Sequence, residues 1–175
     1  MLTLVQARKQ SCQKCARNEN REVYKIPTSF IFTNSQTCVT FMKVLFVCSG
    51  NAFRSPVAEA LLKKQKPEIE VNSAGANPAV PDAIAGSAWS YSAREGAEKY
   101  LKHCPESLDD KRLNEYDLIV AMEPHHKDAI LRKSPGCEKK TVVWNIEDPY
   151  LLPHGHTMKI FKQIKDKVEE LANSL

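Results

Sequence analysis

Val44-Leu45-Phe46-Val47-Cys48-Ser49-Gly50-Asn51-Ala52-Phe53-Arg54-Ser55-Pro56 is the stretch from which the fold can be read. Four apolar residues run into a short polar segment, and Pro56 opens an apolar-rich continuation that suits a helix. A buried strand, a tight loop and a helix N-terminus in that order form a ready-made anion site. Gly50 gives the loop conformations closed to other residues, so its N–H groups can turn inward. Arg54 adds a planar fork able to pair with two phosphate oxygens. The positive surroundings favour the thiolate of Cys48, and a thiolate beside a bound phosphate is a nucleophile. Ser55 is placed to donate to that sulfur or to the leaving group, and the Asn51 amide can bond the loop's own backbone. Backbone groups of Ser49, Gly50, Asn51, Ala52 and Phe53 complete the expected cradle. The simpler alternative is a buried strand-end thiol at Cys48. It leaves Gly50, Asn51, Arg54, Ser55 and Pro56 without a reason for their order.

Val44 to Leu62 resembles the N-terminal signature of the low-molecular-weight protein tyrosine phosphatase family, which also holds arsenate reductases and protein arginine phosphatases. Ser73-Ala74-Gly75, Tyr116 to Met122, and Glu147-Asp148-Pro149-Tyr150 extend the resemblance, which covers the chain from about Met42 to its end. Three roles follow from it. Asp148, whose Asp-Pro context by itself suggests only a turn, is implied as the general acid that protonates the leaving atom. Tyr150 is implied at the mouth of the pocket, and Ser73 as a brace for the catalytic loop through Asn51. The implied activity is hydrolysis of phosphomonoesters, foremost protein phosphotyrosine, through a phosphocysteine intermediate. Protein arginine phosphatase and arsenate reductase are the alternatives on the same scaffold, and a phosphoresidue-binding module is the non-enzymatic one. Binding alone needs only the loop and Arg54, so Cys48 and Asp148 together favour an enzyme. The chain departs from the family at Phe53, where many members carry a second cysteine, and at Leu151, often a tyrosine. Ala74 to Pro81 also lacks an aromatic that lines the pocket in some members.

The surrounding chain alternates as a parallel α/β domain. Strands are expected at Val44 to Val47, Ile69 to Asn72, Leu118 to Met122 and Thr141 to Trp144. Helices are expected at Pro56 to Lys66, with Val57, Ala60 and Leu61 inward, at Ser92 to His103, from Pro124 to Lys133, and at Thr157 to Leu171. The fold class is an open four-stranded parallel sheet with helices on both faces, in a single domain spanning 42–175. Its phosphate loop lies at the carboxyl end of the first strand, where such sheets bind ligands. No Gly-x-Gly-x-x-Gly follows that strand and no lysine stands in a P-loop position, so dinucleotide and nucleotide-triphosphate chemistries are excluded.

At 175 residues with a formal net charge of +4, the chain suits one soluble domain. The excess cations all precede Met42, where Arg8, Lys9, Lys14, Arg17, Arg21 and Lys25 face only Glu19 and Glu22. The domain itself is formally neutral and has no basic face for nucleic acid. No apolar stretch is long enough for a membrane span, and Leu2 to Val5 is too short for a secretory core. The expected location is therefore cytoplasmic. Residues 1–41 match nothing in the family and read as a disordered extension or a mis-assigned start before Met42. Cys12 and Cys15 form a lone C-x-x-C with no second ligand pair. His125 and His126 are adjacent on an expected helix, point in different directions and make no metal pair. His154-Gly155-His156 follows Asp148 closely, but an exposed loop is the favoured reading over an edge of the site. The covalent route uses side chains alone, so neither metal nor organic cofactor is expected. The expected partner is a phosphorylated protein or small phosphomonoester.

Overall fold

The computed structural model describes residues 42–77, 81, 83–151 and 156–175. Cys12, Cys15, His154 and Gly155 lie outside the described residues. Four parallel strands, β1 (Lys43–Cys48), β2 (Glu70–Gly75), β3 (Leu118–Ala121) and β4 (Thr141–Val143), form one sheet in the order β2-β1-β3-β4. Cys48 pairs with Gly75 on one side, and Val47 with Ala121 on the other. From Val44 to Cys48 the central strand is buried along its whole length. Burial on both faces is why it reads as a continuous apolar run rather than an alternating one.

Helices α1 (Arg54–Gln65), α2 (Gly86–Arg94) and α4 (Thr157–Ser174) contribute to the core on one face, where Val44 and Phe46 meet Val57, Leu61, Tyr91 and Phe161. Helix α3 (Pro124–Lys133) covers the other face, where Leu45 and Val47 meet Ile119, Ile130 and Cys137. The period-two alternation of β1 thus divides its side chains between two cores. Among the described residues, no helix is long and apolar enough to cross a membrane.

Two helices differ from expectation. Helix α1 is buried from Arg54 through Leu62 rather than along one inner stripe, because β2, α2 and α4 all pack against it. The helix expected at Ser92 to His103 instead starts at Gly86 and stops at Arg94, followed by a 3-10 turn at Glu98–Tyr100. Gly96 lies between them with φ +62°. That left-handed backbone ends the helix at a position suited to glycine.

The strand order reverses at β1, with β2 on one side and β3 on the other. Ligands of open α/β sheets bind in the crevice that this reversal opens at the carboxyl ends. The 49–53 loop sits there, tied to its neighbours by Ala76 N to Cys48 O at 2.8 Å, Asn77 N to Ser49 O at 2.9 Å and Met122 N to Val47 O at 2.9 Å.

Candidate active site

The loop curls around the Cys48 sulfur. Asn51 N–H points at Cys48 Sγ from 3.3 Å, and Ser55 Oγ lies 3.0 Å from the same atom. The sharp turn falls on Asn51, whose φ is +52°, and not on Gly50 as expected from the sequence. Asparagine tolerates that region better than most residues. Gly50 is required for space instead, because a Cβ there would come within 2.9 Å of Pro81 Cδ.

A buried hydrogen-bond chain fixes this geometry. Asn51 Nδ2 donates to Ser55 Oγ at 2.9 Å and to Ser73 Oγ at 2.8 Å, and Asn51 Oδ1 accepts from Glu106 N at 2.8 Å. The amide therefore joins the loop to β2 and to the 106 segment rather than to its own backbone. Ser55 accepts from Asn51, so its proton is left for the sulfur. Ser73 in turn donates to Glu59 Oε2 at 2.5 Å. Glu59 is buried, and Lys63 at 2.5 Å and Lys102 at 3.3 Å balance its charge.

Arg54 is 1% exposed. Its Nη1 donates to Glu123 Oε2 at 2.5 Å and Ile146 O at 2.8 Å, neither of which lines the catalytic cavity. Its Nη2 donates to Asp148 Oδ2 at 2.6 Å and Ser49 Oγ at 3.1 Å, both of which do. One half of the fork is thus anchored in the protein. The other half can exchange a carboxylate for a phosphate oxygen. Asp148 Oδ1 accepts from Tyr150 N at 3.2 Å, which ties the acid to the backbone of the aromatic.

His126 is fully buried behind the loop. Its Nδ1 accepts from Glu123 N at 3.1 Å, which leaves the neutral ring's proton on Nε2, 2.9 Å from Ser49 Oγ. Burial first, then the neighbouring His125 ring and the Arg54 guanidinium, push its pKa down to about 3. The ring is neutral at any ordinary pH. Ser49 then accepts from both His126 and Arg54, so its own proton is available to an anion in the loop. The expectation that His125 and His126 diverge is corrected here, since their rings lie 4.0 Å apart. Glu123, His125 and His126 place possible ligand atoms within 4.8 Å of one another. Both nitrogens of His126 are nevertheless engaged, and Glu123 is committed to Arg54.

The cavity, of about 260 Å³, is lined by Cys48, Ser49, Gly50, Ala52, Phe53, Arg54, Asn77, Pro81, Ala83, Asp148 and Tyr150. Cys48, Arg54 and Asp148, expected from the sequence to act together, meet in this one place. Ser55 and Asn51 lie just beneath it. Phe53 borders the cavity as well, while its ring turns into the apolar core and stacks on Phe161 with centroids 4.5 Å apart. Glu59, Lys102, Glu123 and His126 were not singled out from the sequence as site residues. Glu123 carried a usable signal, being a carboxylate immediately after a strand on the ligand-binding edge of the sheet.

A parallel α/β domain with an anion loop at its topological switch point, closed around a cysteine and an arginine, defines a cysteine-dependent phosphatase scaffold. A family model described as low molecular weight phosphotyrosine protein phosphatase matches residues 43–175, and the chain belongs to that family. It is 34% identical over 147 residues to the low molecular weight protein-tyrosine-phosphatase Wzb of Escherichia coli, covering 77% of this chain and 96% of the relative. It is 32% identical over 145 residues to the protein-arginine-phosphatase of Bacillus subtilis, covering 77% of this chain and 94% of the relative. Among solved structures, Vibrio vulnificus Wzb in complex with benzylphosphonate superposes with a TM-score of 0.69 at 27% identity, covering 77% of this chain and 99% of that one.

Proposed function

We propose that this protein hydrolyses phosphotyrosine in proteins through a phosphocysteine intermediate. The observation that carries this is the set of contacts about Cys48 and Arg54. A sulfur receives Ser55 Oγ and the Asn51 N–H, and beside it a half-anchored guanidinium is paired with Asp148 at 2.6 Å. The phosphoryl group takes the place of Asp148 on Nη2 and accepts from Ser49 and the loop N–H groups. The Cys48 thiolate attacks phosphorus, forming a P–S bond as the P–O bond to the leaving group breaks. Asp148, released from Nη2 and carrying a proton taken up from solvent as the phosphoryl dianion enters, gives that proton to the departing oxygen. In the second half, water attacks phosphorus and Asp148 takes the water's proton. The P–S bond breaks, releasing inorganic phosphate and regenerating the thiolate.

The choice of an aryl substrate rests on Tyr150, which is 72% exposed at the cavity rim, where an incoming ring can lie against it. Protein arginine phosphatase is the second reading. It is favoured by the Bacillus subtilis relative and by Ala52, whose small side chain on the cavity wall sets no steric limit that would exclude a guanidinium.

Hydrolysis of p-nitrophenyl phosphate by wild type and by Cys48→Ser tests the reaction. Turnover should vanish in the variant while phosphate or vanadate still binds, and equal rates for the two proteins would end the proposal. Matched phosphotyrosine and phosphoarginine peptides then test the substrate. A preference for phosphoarginine above about a hundredfold, on the order of 3 kcal/mol, would replace the tyrosine assignment.

A further inference from the structure

Phe53 stands in the anion loop immediately before Arg54, yet its ring belongs to a column of four aromatics. Tyr91 and Phe161 stack with centroids 4.2 Å apart and planes at 10°. Phe161 and Phe53 stack at 4.5 Å and 17°. Phe53 then meets Tyr150 edge-on at 6.0 Å and 66°. The column runs from the core, where Tyr91, Phe161 and Phe53 are at most 5% exposed, to the cavity rim at Tyr150.

Its inner end is fixed. Tyr91 Oη donates to Phe161 O at 3.2 Å, and burial raises the Tyr91 pKa to about 12, so the hydroxyl keeps its proton. Tyr150 is tied through its backbone N–H to Asp148, and Phe53 is the only ring against it among the described residues. The other apolar lining of the cavity, Ala52, Pro81 and Ala83, contains no aromatic group. Recognition of a flat leaving group therefore falls to Tyr150, and the orientation of Tyr150 falls to Phe53. Edge-to-face pairs of this kind are worth enough to bias the orientation of an exposed side chain such as Tyr150.

We infer that Phe53 is a positioning residue for ring recognition: it carries the rigidity of the Tyr91–Phe161 stack to Tyr150 and so sets the preference for aryl over non-aromatic phosphates. The inference rests on the phosphatase reading of the same site. A side chain that pre-orients the wall lowers the ordering cost of binding an aryl group. It leaves the contacts to the phosphoryl group unchanged.

Inhibition constants of benzylphosphonate and methylphosphonate, measured on the full chain with p-nitrophenyl phosphate as reporter, separate ring recognition from anion recognition. Phe53→Leu should raise the benzylphosphonate constant about two- to tenfold, the range expected from loss of one aromatic pair. The methylphosphonate constant should stay within about twofold, since no contact of Arg54 or Cys48 is lost. Tyr150→Leu should produce the same selective loss, and adding Phe53→Leu to it should produce little more, because the two act as one unit. Equal changes for both inhibitors, no change for either, or additive losses in the double variant would each overturn the inference. Should Phe53→Leu not fold by circular dichroism, Phe53→Met is judged by the same criteria. Tyr150→Leu changes an exposed residue, and an unaltered benzylphosphonate constant there would overturn the inference by itself. A wild type that neither binds the phosphonates nor turns over the reporter would remove the phosphatase reading. A wild type that does both, with ring preference insensitive to Phe53, would remove only this inference.

Discussion

An entering phosphate must take Arg54 Nη2 away from Asp148, so deleting that carboxylate should tighten the binding of inorganic phosphate even as it harms catalysis. The contact is short, at 2.6 Å, and its partners are 2% and 18% exposed. A hydrogen bond to a charged group contributes about 1.5–3 kcal/mol net. Partial solvent access at Asp148 screens some of this, and Ser49 stays on Nη2 in either state. Taking about 1–2 kcal/mol as the share that phosphate must displace, Asp148→Ala should bind phosphate about five- to thirtyfold more tightly. Asp148→Asn should fall between the two, since an amide oxygen can still accept from Nη2 but carries no charge. Titration calorimetry of the full chain at neutral pH reads this directly, without any need for turnover. The gain should shrink as salt is raised, because one element of it is repulsion between Asp148 and the dianion. Unchanged or weaker phosphate binding in Asp148→Ala would refute the competition and return Asp148 to a bystander in the resting site.

The parts of the site carried by contiguous sequence were legible, and those assembled by the fold were not. Cys48, Arg54 and Ser55 lie within eight residues of one another on a strand-loop-helix segment, so their order alone implied a shared cavity. Glu123 and Asp148 reach Arg54 from 69 and 94 residues away. Asp148 was found only because a family motif marks it, and Glu123 had no such marker. His126 shows why helical geometry misled. Adjacent residues on a helix are about 100° apart, which is why the two rings were expected to diverge. At a helix N-terminus, however, the first N–H groups lack partners, and Glu123 N draws His126 Nδ1 back towards the loop. The fold followed the same division. The first, third and fourth strands were readable from apolar runs. Strand β2 instead runs past its expected end at Asn72 to Gly75, because Ser73, Ala74 and Gly75 pair with Phe46, Val47 and Cys48. The end of α2 depended on the left-handed Gly96, which a search for apolar period passes over.

Three further outcomes follow from named contacts. Asp148→Asn should slow a substrate with a poor leaving group about a hundred- to ten-thousand-fold but p-nitrophenyl phosphate far less; equal losses on both would take Asp148 out of the acid role. Among the described residues, Cys48 faces one core and the free thiol of Cys137 the other, and Phe53 fills the loop position next to Arg54. Peroxide should therefore add oxygens to Cys48 in a growing fraction that thiols do not rescue, and full recovery at every exposure would contradict this. The pH dependence of stability turns on His126. Its folded pKa of about 3 lies below the ordinary 6.5, so below pH 6.5 the unfolded chain binds a proton that the folded one refuses. Stability from this group is complete above pH 6.5 and is lost as the pH falls towards 3, at up to about 1.4 kcal/mol per pH unit. Urea unfolding of wild type should thus lose about 2 kcal/mol between pH 6.5 and 5 from this one ring. His126→Gln, which cannot titrate, should lose correspondingly less over the same interval. Parallel losses in the two proteins would show that the acid sensitivity resides elsewhere and that His126 does not hold Ser49 as a neutral donor.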